Sequence, residues 1–298
     1  MSAKSDLRMI LSHNVVLAAV RSALDEDLGL SGDITTNATV EADVRADALL
    51  VARKTGVVSG LALAEAAFRE LDPDCTFEID IDDGKIVAAD DTIARISGNA
   101  RAILSAERVA LNFIGRMCGI ATLTRRYVDT VEGTSAKIVD TRKTTPGLRV
   151  FEKYAVRCGG GHNHRFGLFD AILIKDNHIV AAGGVAEAIK AARISAGHVT
   201  KIEVEVDTLE QLDVVLREKI DCVLLDNMSL AELRTAVKAV DGRCLTEASG
   251  GVSLDTVREI ALTGVDLISI GALTHSAPVL DLGLDFVTPP KKSSARPA

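Results

Sequence analysis

A regular alternation of short apolar runs and helical patterns fills the chain from Lys137 to Gly271 and limits the folds open to it. Such alternation predicts a parallel sheet, and the short, repeated spacing favours a barrel over a doubly wound sheet. A complete (β/α)8 barrel needs eight strands, so we expect this barrel to be incomplete. The apolar runs predict strands at residues 137–140, 171–174, 201–206, 221–225, 244–246 and 267–270.

Residues 137–178 concentrate positive charge in a chain whose formal net charge is -8. Between two of the predicted strands, Pro146 suits the first turn of a helix that Gly159 to Gly161 end. A basic surface helix followed by a glycine loop is the plain structural interpretation. Several cations follow directly after strands, however, where α/β folds carry their chemistry, and this favours a functional site. The basic residues are Arg142, Lys143, Arg149, Lys153, Arg157, Arg165 and Lys175, with His162, His164 and His178 among them.

All six predicted strands run into polar or glycine residues at their carboxyl ends. One such exit says little, because every strand must end in a polar loop. Six exits on one rim predict a site. In chain order the exits are Asp140 to Lys143, Lys175 to His178, Glu205 with Asp207, Asp226 with Asn227, Glu247 with Ser249 to Gly251, and Ser269 to Gly271.

The last two exits, EASGG and SIGA, have the composition of a phosphate cradle, in which glycines allow backbone N–H groups to approach an oxyanion. Either loop could also be an ordinary turn. Glu205 and Asp226 end neighbouring strands and could hold Mg2+ or accept sugar hydroxyls, although Asp226 could instead cap the helix that starts near Ser229. No GxxxxGK[ST] motif is present, which excludes a standard Walker A site.

The first part of the chain predicts a small α+β domain of about half a dozen strands and two helices. An amphipathic helix is expected at residues 13–30, a loop over DLGLSGDITTN, a helix at Leu61 to Leu71, and a long helix from about Ala100 to Val131. The tail is expected to be disordered from about Pro289.

Composition narrows the functional classes. A pI near 5.3 and 3% aromatic residues argue against a nucleic-acid binder. The five cysteines have no CxxC or zinc-like spacing, which indicates reduced thiols that pack in the interior. The first ten residues lack the apolar centre of a signal peptide, and no run reaches the ~18 apolar residues of a membrane helix. We therefore expect a cytoplasmic protein with no membrane partner.

At the level of motifs the chain resembles the quinolinate phosphoribosyltransferase family, also called nicotinate-nucleotide pyrophosphorylase (carboxylating). The resemblance implies an N-terminal α/β sandwich domain at 1–115, joined by the tail 276–298, and an incomplete TIM-like barrel of seven strands at 116–275. The resembling segments are EDLGLSGDITT at 26–36, SAERVALNF at 105–113, VDTRKTTPGLR at 139–149, GGGHNHRFGLFDAILIKDNH at 159–178, IEVEVDTLEQL at 202–212, LLDNMS at 224–229, EASGGV at 247–252 and SIGALTHSA at 269–277.

The resemblance also implies an activity and a set of site residues. The family transfers phosphoribosyl from phosphoribosyl pyrophosphate to quinolinate with loss of CO2, which gives nicotinate mononucleotide for NAD biosynthesis. Arg108 would complete the site of the neighbouring subunit, which implies a homodimer or a larger oligomer. By the same resemblance, quinolinate would be bound by Arg142, Arg165 and Lys175 with Thr141, Lys143 and His164, and the 5-phosphate would be bound by Ser249, Gly250, Gly251, Ser269, Ile270 and Gly271. Glu205 and Asp226 would contact the ribose and Mg2+. The implied catalytic residues are Lys143, Glu205 and Asp226.

Three alternatives remain open at the level of sequence. A paralogue could use the same phosphoribosyl donor with another aromatic acid. A Schiff-base aldolase is possible because Lys175 ends a strand and a phosphate loop follows, and borohydride trapping would test it. A sugar-phosphate-binding regulator would bind ligands without turnover.

Overall fold

The computed structural model describes residues 11–287, and these divide into two compact units. The first unit contains residues 11–123, 150–160 and 277–287, and the second contains residues 124–149 and 161–276. The tail expected to be disordered from about Pro289 lies outside the described residues. The helices and strands are α1 (His13–Leu28), α2 (Ile34–Thr39), β1 (Arg45–Ala52), β2 (Gly56–Val57), α3 (Leu61–Leu71), β3 (Thr76–Ile79), β4 (Ile86–Val87), β5 (Thr92–Asn99), α4 (Ala100–Thr130), β6 (Lys137–Val139), α5 (Arg149–Cys158), β7 (Ile172–Ile174), α6 (Asp176–Ala182), α7 (Val185–Ser195), β8 (Ile202–Val206), α8 (Leu209–Val215), β9 (Cys222–Asp226), α9 (Leu230–Val240), β10 (Leu245–Ser249), α10 (Val257–Ala261), β11 (Leu267–Ser269), α11 (Ala272–His275) and β12 (Leu282–Phe286).

The first unit is built on an antiparallel sheet with the strand order β12-β1-β5-β3, beside a two-stranded pair of β2 and β4. Ala46, Ala48 and Leu50 of β1 are buried at alternate positions, as expected for a strand with one face on a core. The pairing of β12 with β1 places part of the C-terminal tail in this sheet. The unit is an α/β sandwich in which α1 packs against α3.

The second unit is a parallel sheet with the order β6-β11-β10-β9-β8-β7 and helices between its strands. All six predicted strands are confirmed, with ends that differ by a few residues. Where the resemblance implied seven strands, the described sheet has six named strands and one further parallel bridge between Val139 and His162. The fold is therefore an incomplete α/β barrel, and its carboxyl rim carries the polar exits.

Two local expectations are wrong. Residues 34–37 were expected in a loop but belong to α2, because Asp33 caps this helix by accepting the Thr36 N–H at Oδ1 (2.9 Å). So short a helix shows no periodicity in the sequence. The alternative role of Asp226 as a helix cap is also wrong. Ser229 caps α9 with its own side chain and forms a capping box with Glu232.

The predicted domain boundary at residue 115 falls inside the 31-residue α4. The backbone at Pro278 lies so close to α4 that residue 119 must be a glycine. A Cβ at Gly119 would lie 2.0 Å from the Pro278 carbonyl oxygen. All five cysteines are free thiols, and Cys158 is buried in the first unit. Within residues 11–287, each helix is too short or too polar to cross a bilayer.

Candidate active site

A cavity of about 380 Å3 opens at the carboxyl rim of the second unit, and every strand of the parallel sheet or the loop after it contributes to its wall. The rim position follows from the fold, because parallel strands present all their carboxyl ends on one side. The cavity is lined by Thr141, Arg142, Lys143, His164, Arg165, Leu173, Lys175, Glu205, Leu224, Asp226, Glu247, Ser249 and Ser269.

The structure brings most of the predicted site residues together around this cavity. Those in its wall are Thr141, Arg142, Lys143, His164, Arg165, Lys175, Glu205, Asp226, Ser249 and Ser269. Gly250 and Gly251 follow β10, and Ile270 and Gly271 follow β11, in the loops that continue from lining residues. Arg108 is outside this group, since it is an exposed residue of α4 in the first unit.

Two arginines give the cavity its anion-binding character. Burial, and then the positive charge of Arg142, lower the pKa of Arg165. One guanidinium N–H of Arg165 donates to the Ala171 carbonyl (3.1 Å), which fixes the side chain while other donors remain for a ligand. Two guanidinium groups held close together favour a bound anion, and their forked donors match a carboxylate.

Not all cations of residues 137–178 serve this cavity. Arg149 braces its surroundings by donating to Thr144 Oγ1 (2.9 Å) and to the Phe166 carbonyl (3.0 Å). Lys153 and Arg157 belong to α5 in the first unit, where Lys153 is fully buried. These three cations are therefore structural, although α5 is largely buried and is not the basic surface helix of the plain interpretation.

The two predicted carboxylates end neighbouring strands, as expected. Glu205 forms an ion pair with Lys175 Nζ. Asp226 accepts a hydrogen bond at Oδ2 from the side-chain amide of Asn227 (2.7 Å). Both residues are partly buried and line the cavity, so they place oxygen acceptors on the wall formed by β8 and β9.

Gly250 is required in its loop, and Gly271 lies close to the first loop of the rim. Gly250 has φ +93°, and a Cβ there would lie 2.1 Å from Asn227 Oδ1. A Cβ on Gly271 would lie 2.9 Å from Lys143 Cδ. The Thr274 hydroxyl donates to the Lys143 carbonyl (2.7 Å), which joins the first and last loops of the rim. These contacts pack the glycine loops against Asn227 and Lys143.

Asp140 organises the loop that carries His164 and Arg165. It is fully buried just after β6, and it accepts the His164 N–H at Oδ1 (2.9 Å) and the Asn163 side-chain amide at Oδ2 (2.6 Å). Sequence reasoning placed Asp140 at a strand exit but assigned it no role. Its place at the first polar position after an apolar run was the available signal.

Sequence reasoning assigned no role to the floor of the cavity: it named Glu247 only as one of the strand exits, and it did not single out Glu203. Glu203 on β8 and Glu247 on β10 are buried carboxylates, and together with His164 they place polar atoms within 4.8 Å of one another. His164 Nε2 lies 2.9 Å from Glu203 Oε2 and 3.7 Å from Glu247 Oε1. Glu203 could have been found, because in IEVEV it shares a strand face with Glu205.

Comparisons with known proteins cover nearly the whole chain. Residues 33–118 match the quinolinate phosphoribosyl transferase N-terminal domain, and residues 120–285 match the C-terminal domain of the same family. The chain is 46% identical to the nicotinate-nucleotide pyrophosphorylase [carboxylating] of Mycobacterium leprae over 90% of this chain and 95% of that protein. It is 43% identical to the quinolinate phosphoribosyltransferase [decarboxylating] 2b of Nicotiana tabacum, over 90% of this chain and 81% of that protein.

Solved structures show the same similarity. The nicotinate-nucleotide pyrophosphorylase of Francisella tularensis superposes with a TM-score of 0.89 and 40% sequence identity, over 93% of this chain and 98% of that chain. The parallel sheet and the rim loops of this chain fall within residues 120–285, which match the C-terminal domain of the family.

Proposed function

Because the chain belongs to the quinolinate phosphoribosyltransferase family, we propose that its rim cavity transfers phosphoribosyl from phosphoribosyl pyrophosphate to quinolinate with decarboxylation. The products are nicotinate mononucleotide, pyrophosphate and CO2, in the biosynthesis of NAD. The single observation that carries this proposal is one cavity that holds paired arginines, strand-end carboxylates and two glycine loops. The arginines match a dicarboxylate, the strand-end carboxylates match the hydroxyls of a ribose, and the glycine loops match a phosphate.

Quinolinate is proposed to bind at the cationic side. Arg142, Arg165 and Lys175 bind its two carboxylates, with support from Thr141, Lys143 and His164. The 5-phosphate of the other substrate binds to backbone N–H groups of the loops 249–251 and 269–271. The transfer then requires the pyridine nitrogen to face the ribose C1.

Glu205 and Asp226 are proposed to bind the ribose hydroxyls and to hold Mg2+, directly or through water. The donor set fits this ion, because Mg2+ prefers carboxylate oxygens and both side chains end neighbouring strands on the cavity wall. When bound, Mg2+ would neutralise charge on the departing pyrophosphate. Lys175 contacts Glu205 in the structure, so we expect this lysine to leave Glu205 for the substrate carboxylate when both ligands bind.

The transfer step requires no general base. The pyridine nitrogen carries its own lone pair, so it attacks C1 as the bond to pyrophosphate breaks. Lys143 stabilises the negative charge that develops on the leaving group, and the two carboxylates stabilise the oxocarbenium-like ribose. The aldolase alternative is disfavoured, because Lys175 Nζ is engaged by Glu205 and an ion-paired ammonium is a poor nucleophile.

Incubation of the pure protein with quinolinate, phosphoribosyl pyrophosphate and Mg2+ tests this function. We expect CO2, pyrophosphate and nicotinate mononucleotide in equal amounts. Binding of the phosphoribosyl donor with no product would contradict the assignment of quinolinate and favour another aromatic acid. Absence of both binding and turnover would refute the function altogether.

The cation assignments have their own test. Arg142→Ala and Arg165→Ala should each raise the quinolinate KM, because a substrate carboxylate loses its partner. The lost transition-state stabilisation, calculated from the ratio of kcat/KM values, should be about 2 to 4 kcal/mol. Arg217→Ala is the matched control, since Arg217 is an exposed residue that pairs with Asp213. Unchanged quinolinate kinetics in both cavity variants would contradict these roles.

A homodimer, or a larger oligomer built from it, completes the proposal. Arg108 is exposed on α4, where it can enter the site of a neighbouring copy. Mixed dimers of an Arg108→Ala chain and a Lys175→Ala chain should regain activity, because one of the two sites then keeps both residues. If subunits exchange and no activity returns, each site is self-contained. A cytoplasmic location is part of the same proposal and is supported by the free thiols.

A further inference from the structure

The floor of the cavity holds two carboxylates that the proposed binding scheme leaves without a task. Glu203 and Glu247 are 8% and 1% exposed. Each shares a strand face with a residue nearer the rim, Glu203 with Glu205 and Glu247 with Ser249, because alternate residues of a strand point the same way. The two therefore lie one layer below the proposed ribose wall.

Hydrogen bonding fixes the proton of His164. The Arg165 backbone N–H donates to His164 Nδ1 (2.7 Å), so Nδ1 presents its lone pair and the ring proton resides on Nε2. Nε2–H then donates to Glu203 Oε2 at 2.9 Å. This geometry assigns the negative charge to Glu203. It also argues against a metal ion among the three residues, because Nε2 has no free lone pair.

The second carboxylate is best described as an acid. Glu203 and Glu247 are too close and too buried for both to be charged. Burial, and then the charge of Glu203, raise the pKa of Glu247 to about 8. Within residues 11–287, Glu247 Oε1 has no hydrogen-bond partner. At neutral pH a carboxylic acid with an unsatisfied oxygen thus lies at the cavity floor.

The remaining lining groups are poor proton donors near neutral pH. Arginine and lysine release protons only at a pH above about 10, and hydroxyl groups are weaker acids still. The Nε2 proton of His164 is donated to Glu203. Glu205 and Asp226 act as acceptors, of Lys175 and of Asn227. Glu247 is therefore the lining group best suited to give up a proton.

We propose that Glu247 is the general acid that protonates pyridine C2 when CO2 leaves. The inference rests on the proposed function, since only decarboxylation creates a need for this proton. The C2–carboxylate bond breaks and its electron pair stays on C2, next to the positive ring nitrogen. The pair then takes the proton of Glu247 to form C2–H. Glu247 is left as a carboxylate, and solvent returns its proton before the next turnover.

A single-turnover experiment separates the two chemical steps. Glu247→Gln keeps the shape and removes the transferable proton, and Glu259→Gln makes the same change at an exposed position of α10. With quinolinate, phosphoribosyl pyrophosphate and Mg2+, the Glu247 variant should release pyrophosphate at the parental rate. It should form nicotinate mononucleotide about 100-fold more slowly and accumulate ribosylated quinolinate. Glu259→Gln should match the parent.

The outcomes are distinguishable. Nicotinate mononucleotide that keeps pace with pyrophosphate in Glu247→Gln would overturn the assignment of Glu247. A parental protein that releases no pyrophosphate would instead overturn the proposed function.

If Glu247→Gln does not fold, the pH profile of the parental protein decides. Product formation should slow as pH rises through about 8 while pyrophosphate release does not, and equal profiles for both steps would overturn the proposal. The groups that face Glu247 are Glu203 from β8, His164 and Asp140 from the rim loops, Ser269 from β11 and Cys222 from β9.

Discussion

Replacing Asp140 should weaken the protein and its hold on quinolinate together. Asp140→Ala removes the acceptor of the His164 N–H (2.9 Å) and of the Asn163 amide (2.6 Å). A hydrogen bond to a charged group contributes about 1.5 to 3 kcal/mol, so two of them give roughly 3 to 6 kcal/mol. Both donors are only partly buried and water can reach them, which favours the lower end. Asp140→Asn keeps one oxygen and should lose about half as much.

Urea denaturation and steady-state kinetics measure the two consequences. The loop that Asp140 holds carries His164 and Arg165, so the quinolinate KM should rise more than the KM of phosphoribosyl pyrophosphate. Asp266→Ala is the matched control. Asp266 also accepts two hydrogen bonds, from the Thr246 N–H and hydroxyl (both 2.8 Å), but it precedes β11 at the amino end of the sheet.

Asp266→Ala should therefore lose stability with little change in the quinolinate KM. The reasoning is refuted if Asp140→Ala and Asp266→Ala change the two KM values alike, or if Asp140→Ala is as stable as the parent.

Three further substitutions test other parts of the structure. Gly119→Ala should lower the Tm, because the new Cβ would lie 2.0 Å from the Pro278 carbonyl oxygen. A Gly→Ala change in a helix without this clash stabilises the protein by about 1 kcal/mol. A higher Tm for Gly119→Ala would therefore contradict the close approach of Pro278 to α4. Gly250→Ala should raise the KM of phosphoribosyl pyrophosphate about tenfold, because the backbone angle φ +93° of this residue costs an L-residue about 1 to 2 kcal/mol. Unchanged kinetics would argue against this loop as the phosphate site. Folded Glu247 keeps a proton that the unfolded chain releases, so the free energy of unfolding should fall as pH rises from 4.5 to about 8. Glu247→Gln lacks this pH-dependent loss of stability, so its Tm relative to that of the parent should rise between pH 4.5 and about 8. If the Tm of the variant and the Tm of the parent change with pH in parallel, Glu247 is ionised in the folded state.

The sequence by itself determined the main helices and strands of the barrel and most of the cavity wall. The six strands of the barrel, α3 and α4 follow from apolar periodicity, which is a local property of the chain. Arg142, Lys175 and Asp226 were found for a related reason. In a parallel sheet the first polar residues after each strand must meet on one rim, so sequence position alone predicts their proximity.

Tertiary structure alone decided which charges work together. Arg149 and Arg142 are alike in sequence, yet Arg149 donates to Thr144 and Phe166 and does not line the cavity. Asp140 and Glu247 are recognisable in the sequence only as strand exits, and Glu203 only as a strand residue, until packing buries all three near His164. The physical reason is that burial and the distance between charges are nonlocal. They set which carboxyl keeps a proton, and no local pattern of residues encodes them.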